Sequence, residues 1–413
     1  MGESGGTDGG RGRLIRCKFR VSGISRCIFR RVSGIMRFHP QIVKMGLSIG
    51  ITGLPNVGKS TLFNALTRAQ NAQSANYPFC TIEPNFASVP VPDARLAALA
   101  AIAKPQKIIN ATVEFTDIAG LVRGASKGEG LGNKFLANIR ECDAILHVVR
   151  CFADENVTHV EGSVDPARDA EIINGELLLA DMETVENKVQ RLTKTARTDK
   201  DARKELDAAL LIQKHLEEGK PARTFEERDS DEMRGLLRDL RLLTDKKVIY
   251  VGNVSEAEVA TGALHSNAAA ILADYAKKEG AACVVICAKI EEDMAGISDA
   301  ERAEFLAEYG IAESGLDLIV KTGYETLGLQ SFLTAGPKEV RAWTIREGWT
   351  APKAAGVIHT DFERGFIRAQ VISFDDFVAH GGEQQCKALG LARLEGKEYV
   401  MRDGDVVEFL FNV

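Results

Sequence analysis

The stretch Gly53-Leu54-Pro55-Asn56-Val57-Gly58-Lys59-Ser60 decides how this chain is read. It fits G-x-x-x-x-G-K-[ST], the spacing of a phosphate-cradling P-loop. Its flanks agree with the motif. Residues 47–52 are a short apolar run that reads as a buried strand, and residues 61–66 open a helix-compatible run. A strand feeding a glycine loop feeding a helix aims backbone N–H groups and a helix N-terminus at one point. Lys59 can then reach the terminal phosphates, and the Ser60 hydroxyl can ligate Mg²⁺. A chance match in an ordinary strand–helix turn is the competing reading, and the flanks argue against it.

Downstream, Asn76-Tyr77-Pro78-Phe79-Cys80-Thr81-Ile82-Glu83-Pro84 is bounded by proline and reads as a loop. In a nucleotide switch, a threonine after the first helix reaches Mg²⁺ only while the γ-phosphate is present. Thr81 is the candidate. Thr112 to Asp117 reads as a strand ending in a carboxylate, and with Ile118-Ala119-Gly120 it forms D-x-x-G. Asp117 can hold the magnesium through water, and the Gly120 N–H can sense the γ-phosphate. The next residue departs from many GTPases: Leu121 stands where glutamine orients the attacking water. Residues 124–132 are too glycine-rich to make a stable helix alone.

Residues 144–152 form a central apolar strand, within which His147 reads as a core histidine rather than a catalyst. His159, in the loop beyond it, is a candidate for positioning water; an ordinary loop histidine is the alternative. Met182, Val185, Val189, Leu192 and Ala196 fall on one helical stripe, Leu206 and Leu210 on another, and Met233, Leu236, Leu237, Leu240 and Leu243 on a third. We read residues 176–246 as an inserted antiparallel arm, whose charges form either a solvated face or a surface that reads a partner. The strand of residues 247–253 is followed by Asn253-Val254-Ser255-Glu256, where guanine-specific proteins carry N-K-x-D. The lysine is missing and the acid is one methylene longer, so guanine specificity is doubtful. Residues 282–289 read as the last strand, with Ala288-Lys289 in place of S-A-K.

The remaining sequence supplies the frame. At 413 residues the chain should hold two or three domains. A net charge of −6 speaks against an overall basic nucleic-acid coat, and we expect no DNA partner. No apolar run reaches the roughly 18 residues of a membrane helix. Eight scattered cysteines without zinc spacing suit a reducing compartment with mostly buried thiols. Residues 1–44 are Arg-rich and acid-poor, and repeat an Arg-Cys-x-Phe-Arg pattern at 16–20 and 26–30. A disordered leader, a start upstream of Met45, an RNA-binding arm and a transit peptide all fit them. The expected compartment is the cytoplasm, or an organelle if the leader is a transit peptide. From about Leu329 onward, strands over 340–345, 367–372, 399–401 and 406–411 with one short helix suggest a small β-grasp module. His359-Thr360-Asp361 is better read as capping a turn than as catalytic.

Taken in order, Gly53–Ser60, Asn76–Pro84, Asp117–Gly132, Asn253–Glu256 and His359–Phe366 resemble the YchF-type P-loop NTPases of the Obg-related group. The resemblance spans roughly Met45 to Val413. Residues 332–336 with 340–344 resemble a TGS domain. It implies an α/β fold: a Ras-like P-loop domain over 45–175 and 247–327, the helical coiled-coil arm, and an α+β TGS module over 328–411. It further implies ATP hydrolysis, with ATP preferred over GTP, and association with the ribosome or its large subunit, with rRNA met by the TGS module and arm; turnover should be slow because Leu121 replaces the glutamine. By the family's motifs, Asn56, Val57, Gly58, Lys59, Ser60 and Thr61 would contact the phosphates. Ser60 and Thr81 would sit on Mg²⁺, with Asn253 and the Val254 backbone at the adenine and Glu256 beside them. The family also carries a hydrophobic residue at the Leu121 position. With neither glutamine nor an arginine finger evident, a ribosomal partner or a K⁺ ion near Asn56 could supply the missing charge. A conventional GTPase that still reads guanine through Glu256, and an RNA or ribosome binder that uses nucleotide only structurally, are the alternatives.

Overall fold

The expected strands line up around the loop. In chain order they are β1 (Ser48–Thr52), β2 (Phe86–Pro90), β3 (Lys107–Ile109), β4 (Thr112–Asp117), β5 (Ala144–Arg150), β6 (Lys247–Asn253) and β7 (Ala282–Ile286). The structure, a computed structural model, describes residues 47–73, 85–118, 131–154, 159–260 and 266–412. The expectations for residues 1–44, Thr81, Gly120 and Leu121 therefore lie outside the described residues. All of these strands except β3 form one sheet in the order β2-β4-β1-β5-β6-β7, parallel but for the antiparallel β2–β4 pair. The central strands are buried along nearly their whole length, which is why they read as unbroken apolar runs rather than alternating ones. Strand order reverses about β1. The crevice at the carboxyl ends of β1 and β5 is thus the switch point where such sheets bind ligands.

The helices of this half are α1 (Lys59–Gln73), α2 (Ala94–Ala103), α3 (Leu131–Glu141), α4 (Pro166–Thr195), α5 (Lys200–Glu217), α6 (Asp231–Leu240), α7 (Glu256–Ala260), α8 (Asn267–Lys278), α9 (Ala288–Met294), α10 (Asp299–Glu308) and α11 (Gly315–Thr326). The arm does not begin as a separate helix at 176. Asp165 caps the Arg168 N–H and Pro166 opens α4, so a single helix about 45 Å long crosses that point. Its first part (Ala170, Ile173, Leu177) lies in the core beneath the sheet, and its second part (Val185, Leu192) lies in a core shared with α5 and α6. Buried Asp181 marks the junction, accepting from the Leu243 and Thr244 N–H groups at 2.8 and 2.7 Å. The third stripe is buried as expected. The second is misphased: Leu210 is exposed, and the small residues Ala208 and Ala209 with Ile212 and Leu216 carry the inner face.

The C-terminal module contains β8 (Leu329–Ala335), β9 (Glu339–Arg346), α12 (Ala351–Ile358), α13 (Thr360–Arg364), β10 (Phe366–Ile372), α14 (Phe374–Ala379), α15 (Glu383–Ala388), β11 (Arg393–Glu395) and β12 (Val406–Phe411). Its sheet runs β11-β10-β12-β8-β9-β3. The edge strand β3 comes from between β2 and β4 and pairs in parallel with β9, so the two sheets share one stretch of chain. Three expectations are corrected here. Residues 399–401 make only an isolated bridge, Thr350 with Val400; the strand between β10 and β12 in the chain is β11. The module has four short helices instead of one. The expected turn at His359–Phe366 holds α13, which His359 caps by accepting the Asp361 N–H at its Nδ1, 3.1 Å away. No helix among the described residues is long and apolar enough to cross a membrane.

Candidate functional site

The P-loop turns sharply because its residues permit it. Gly53 and Gly58 take φ of +152° and +99°, and Asn56 sits in the left-handed region at 59°. A Cβ on Gly58 would collide with the side-chain nitrogen of Asn253, and one on Gly53 with the carbonyl of Val148. Lys59 begins α1, buried, and its Nζ donates to the Leu54 carbonyl at 2.6 Å, closing the loop on itself. Burial lowers its ammonium to a pKa of about 8, with Asp117 opposing the shift. Burial also pushes the Asp117 carboxyl up, with Lys59 opposing. Asp117 ends β4 directly beside Ile51 of β1. Ser60 is exposed at the second position of α1.

Asn253 ties three segments together. Its Nδ2 donates to the Val57 carbonyl at 3.0 Å, and its Oδ1 accepts the Ala288 N–H at 2.9 Å. It is buried, so both bonds form away from water. Next to it the Val254 N–H is taken by the Ile286 carbonyl at 2.8 Å. Ser255 and Glu258 form a reciprocal cap at the head of α7. Glu256 is the first residue of that helix and is exposed.

These groups border one cavity of about 470 Å³. Asn56, Gly58, Lys59, Ser60 and Thr61 line it where the motif predicts phosphates, its expected phosphate end. Asn253, Val254, Ser255 and Glu256 also line it, where a base is expected, with Phe152, Ala153 and Asp154 after β5 and Cys287, Ala288 and Lys289 after β7. Val57 and Asp117 stand behind the lining, Val57 as the carbonyl held by Asn253. Residues 152–154 were missed in the sequence, where the one signal was their position at a strand end; Ala288-Lys289 was legible in place of S-A-K, though it opens α9 instead of ending the strand.

His159 is elsewhere. Its Nδ1 accepts the Glu161 N–H at 3.1 Å, so Nε2 carries the proton and donates to Asp169 of α4 at 2.8 Å. Both ring nitrogens are committed to fixing the start of α4, and the ring does not line the cavity. The water-positioning assignment is therefore withdrawn. His147 is a core residue: it is buried, its ring centroid is 5.3 Å from that of Tyr250, and burial, then Arg223 and Lys59, lower its pKa to about 3.

The comparisons agree with this geometry. Residues 48–188 match the family model described as a 50S ribosome-binding GTPase. Residues 329–412 match the YchF-GTPase C-terminal model, described as a protein of unknown function (DUF933). The Ribosome-binding ATPase YchF of Bacillus subtilis is 54% identical over 370 residues, which covers 89% of this chain and all of that one. The protein of the same description from Pasteurella multocida is 53% identical over the same share. The solved Schizosaccharomyces pombe YchF GTPase is 38% identical with a TM-score of 0.80, covering 88% of this chain and 98% of that one. With a nucleotide-type cavity at the switch point and both halves matched, the chain belongs to the YchF family.

Proposed function

We propose that this protein is a slow ATP hydrolase that works as a ribosome-associated switch in the cytoplasm. The observation that carries the reading is the single cavity onto which the Lys59 loop, the Ser60 hydroxyl and the Asn253–Glu256 segment converge. The head of α1 offers backbone N–H groups and dipole to a polyphosphate. Lys59 exchanges its bond to the Leu54 carbonyl for one to a phosphate oxygen, which restores the charge that burial disfavours.

Ser60 and Asp117 offer hydroxyl and carboxylate oxygens, hard donors suited to Mg²⁺. No cluster of three or more metal-binding His, Cys, Asp or Glu side chains occurs among the described residues, so phosphate and water oxygens would complete the shell. The ion would neutralise charge on the β- and γ-phosphates. Thr81 and Gly120 keep their proposed roles as the groups that sense the γ-phosphate. A K⁺ ion beside Asn56 is a finer version of the same idea, tested by comparing turnover in potassium and sodium.

The preference for ATP rests on what is absent from the base end. Asn253 spends one N–H and one oxygen lone pair on scaffolding, Val254 replaces the lysine, and Glu256 lies exposed at the head of a short helix instead of in a buried grip. A site without buried partners for the guanine N–H groups forgoes the discrimination they supply. Competition between ATP and GTP tests this directly; GTP bound tenfold or more tightly would overturn it, a gap of about 1.4 kcal/mol. The relatives described as ribosome-binding supply the partner. Through the arm and the C-terminal module, contacts with the large subunit and its rRNA are the finer proposal. Co-sedimentation with ribosomes in ATP, ADP and a non-hydrolysable analogue tests it, and absence from the ribosomal fraction in all three would remove the partner.

A further inference from the structure

Arg150 is among the largest fully buried side chains of the described molecule, and the hydrolysis described above makes no use of it. A buried guanidinium is costly to desolvate and persists only where its surroundings return the cost. Here part of the return comes from the cavity wall. Arg150 Nε donates to the Phe152 carbonyl at 3.0 Å, and Nη2 donates to the Asp154 carbonyl at 3.1 Å. The guanidinium carbon lies 4.6 Å from the centre of the Phe152 ring. The chain beyond β5 thus bends around the head group of its own last strand residue. Phe152, Ala153 and Asp154, the residues so bent, line the cavity.

The anchorage is also specific. Arg150 is paired with Asn253 in the β5–β6 register, and the Cys151 N–H continues the ladder to the Asn253 carbonyl at 2.8 Å. One rung of the sheet therefore holds both ends of the cavity. Asn253 reaches toward the phosphate loop through the Val57 carbonyl, and Arg150 holds the wall segment that the ladder sets beside Asn253 and Val254.

We propose that Arg150 is a positioning residue for the nucleoside, clamping residues 152–154 in the form that receives the base while leaving the phosphate chemistry untouched. The proposal rests on the reading that the cavity takes a nucleotide. It predicts a split between binding and turnover, because the phosphate end is built from a separate segment of chain.

The test uses the full chain, with Arg150→Met removing the clamp and Arg150→Lys keeping a charge that can reach one carbonyl. Binding of Mg-ATP is compared with that of Mg-tripolyphosphate, which has the phosphates but no base, and KM and kcat are measured alongside. For Arg150→Met we expect about a tenfold or greater weakening of ATP binding and a matching rise in KM, with tripolyphosphate binding and kcat within about twofold of the parent. Arg150→Lys should recover part of the loss. Wild-type ATP affinity in Arg150→Met, or equal losses of ATP and tripolyphosphate, would overturn the proposal. If Arg150→Met does not fold, Arg150→Lys alone decides, by an ATP-selective loss of about threefold or by none. Tripolyphosphate binding to the parent as tightly as ATP would instead remove the nucleoside from the cavity, and with it the reading beneath the proposal.

Discussion

The two ends of the cavity are built in opposite ways. The phosphate end is one contiguous stretch, Asn56 to Thr61, shaped by its own glycines and by the helix it starts. The base end is assembled from three segments that are separate in sequence: 152–154, 253–256 and 287–289. Local chemistry fixes the first, and sheet register fixes the second. A motif search therefore finds the first end whole, finds 253–256 and 288–289 of the second only as weakened motifs, and misses 152–154. Damage should divide in the same way, with phosphate-end changes striking chemistry and base-end changes striking nucleotide choice.

The largest expected effect is at Lys59. Lys59→Ala should lower turnover at saturating ATP by roughly a thousandfold, about 4 kcal/mol of transition-state stabilisation. The ratio of ATP to GTP affinity should stay unchanged in competition binding. A shifted ratio would mean that the two ends are not separable.

Asn253→Ala comes next and should break the division, because its side chain joins both ends. Losing the bonds to Val57 and Ala288 leaves a buried carbonyl and a buried N–H unpaired, costing about 1–3 kcal/mol each before relaxation. ATP and tripolyphosphate binding should weaken together by about tenfold or more in titration calorimetry. Selective loss of ATP alone would confine Asn253 to the base end.

A smaller effect should appear with pH. In the free protein Lys59 is held at a pKa of about 8, below its ordinary value of 10.5, and phosphate binds the protonated form. Above about pH 8 ATP affinity should therefore fall, by at most about tenfold per pH unit, and Lys59→Arg should flatten the decline because arginine stays charged. The same shift has a consequence for stability. Between pH 8 and 10.5 the unfolded chain binds more protons at this residue than the folded one, so the Lys59 contribution to folding stability rises with pH. A rise in ATP affinity with pH would contradict the assignment.

The smallest effect is expected at Glu256. Shortening it in Glu256→Asp restores one element of a guanine site, but Val254 still stands where a lysine would pack on the base. GTP should gain less than about threefold over ATP in competition, and a larger gain would mean that the acid already reads the base.

Much of the fold was legible because its signals are local. Buried parallel strands appear as unbroken apolar runs, and the arm's stripes repeat at helical spacing. Leu210 shows the limit of this signal: small alanines shared the buried face, so counting large apolar residues set the phase wrongly. The start of α4 was signalled by Asp165-Pro166 and overlooked, because the first turns of the helix pack into a different core from the rest. His359 was readable as a cap because its partner is two residues away.

The sequence by itself determined the phosphate loop, the strand before it, the carboxylate of Asp117 and the weakening of the guanine signature. Each lies within a few consecutive residues, where spacing fixes geometry. Only the tertiary structure decided that His159 serves the root of α4, that β3 crosses into the C-terminal sheet, and that Arg150 and Asn253 share one rung. Those are contacts between segments distant in sequence. Their formation depends on strand register and packing, which no short stretch of chain encodes alone.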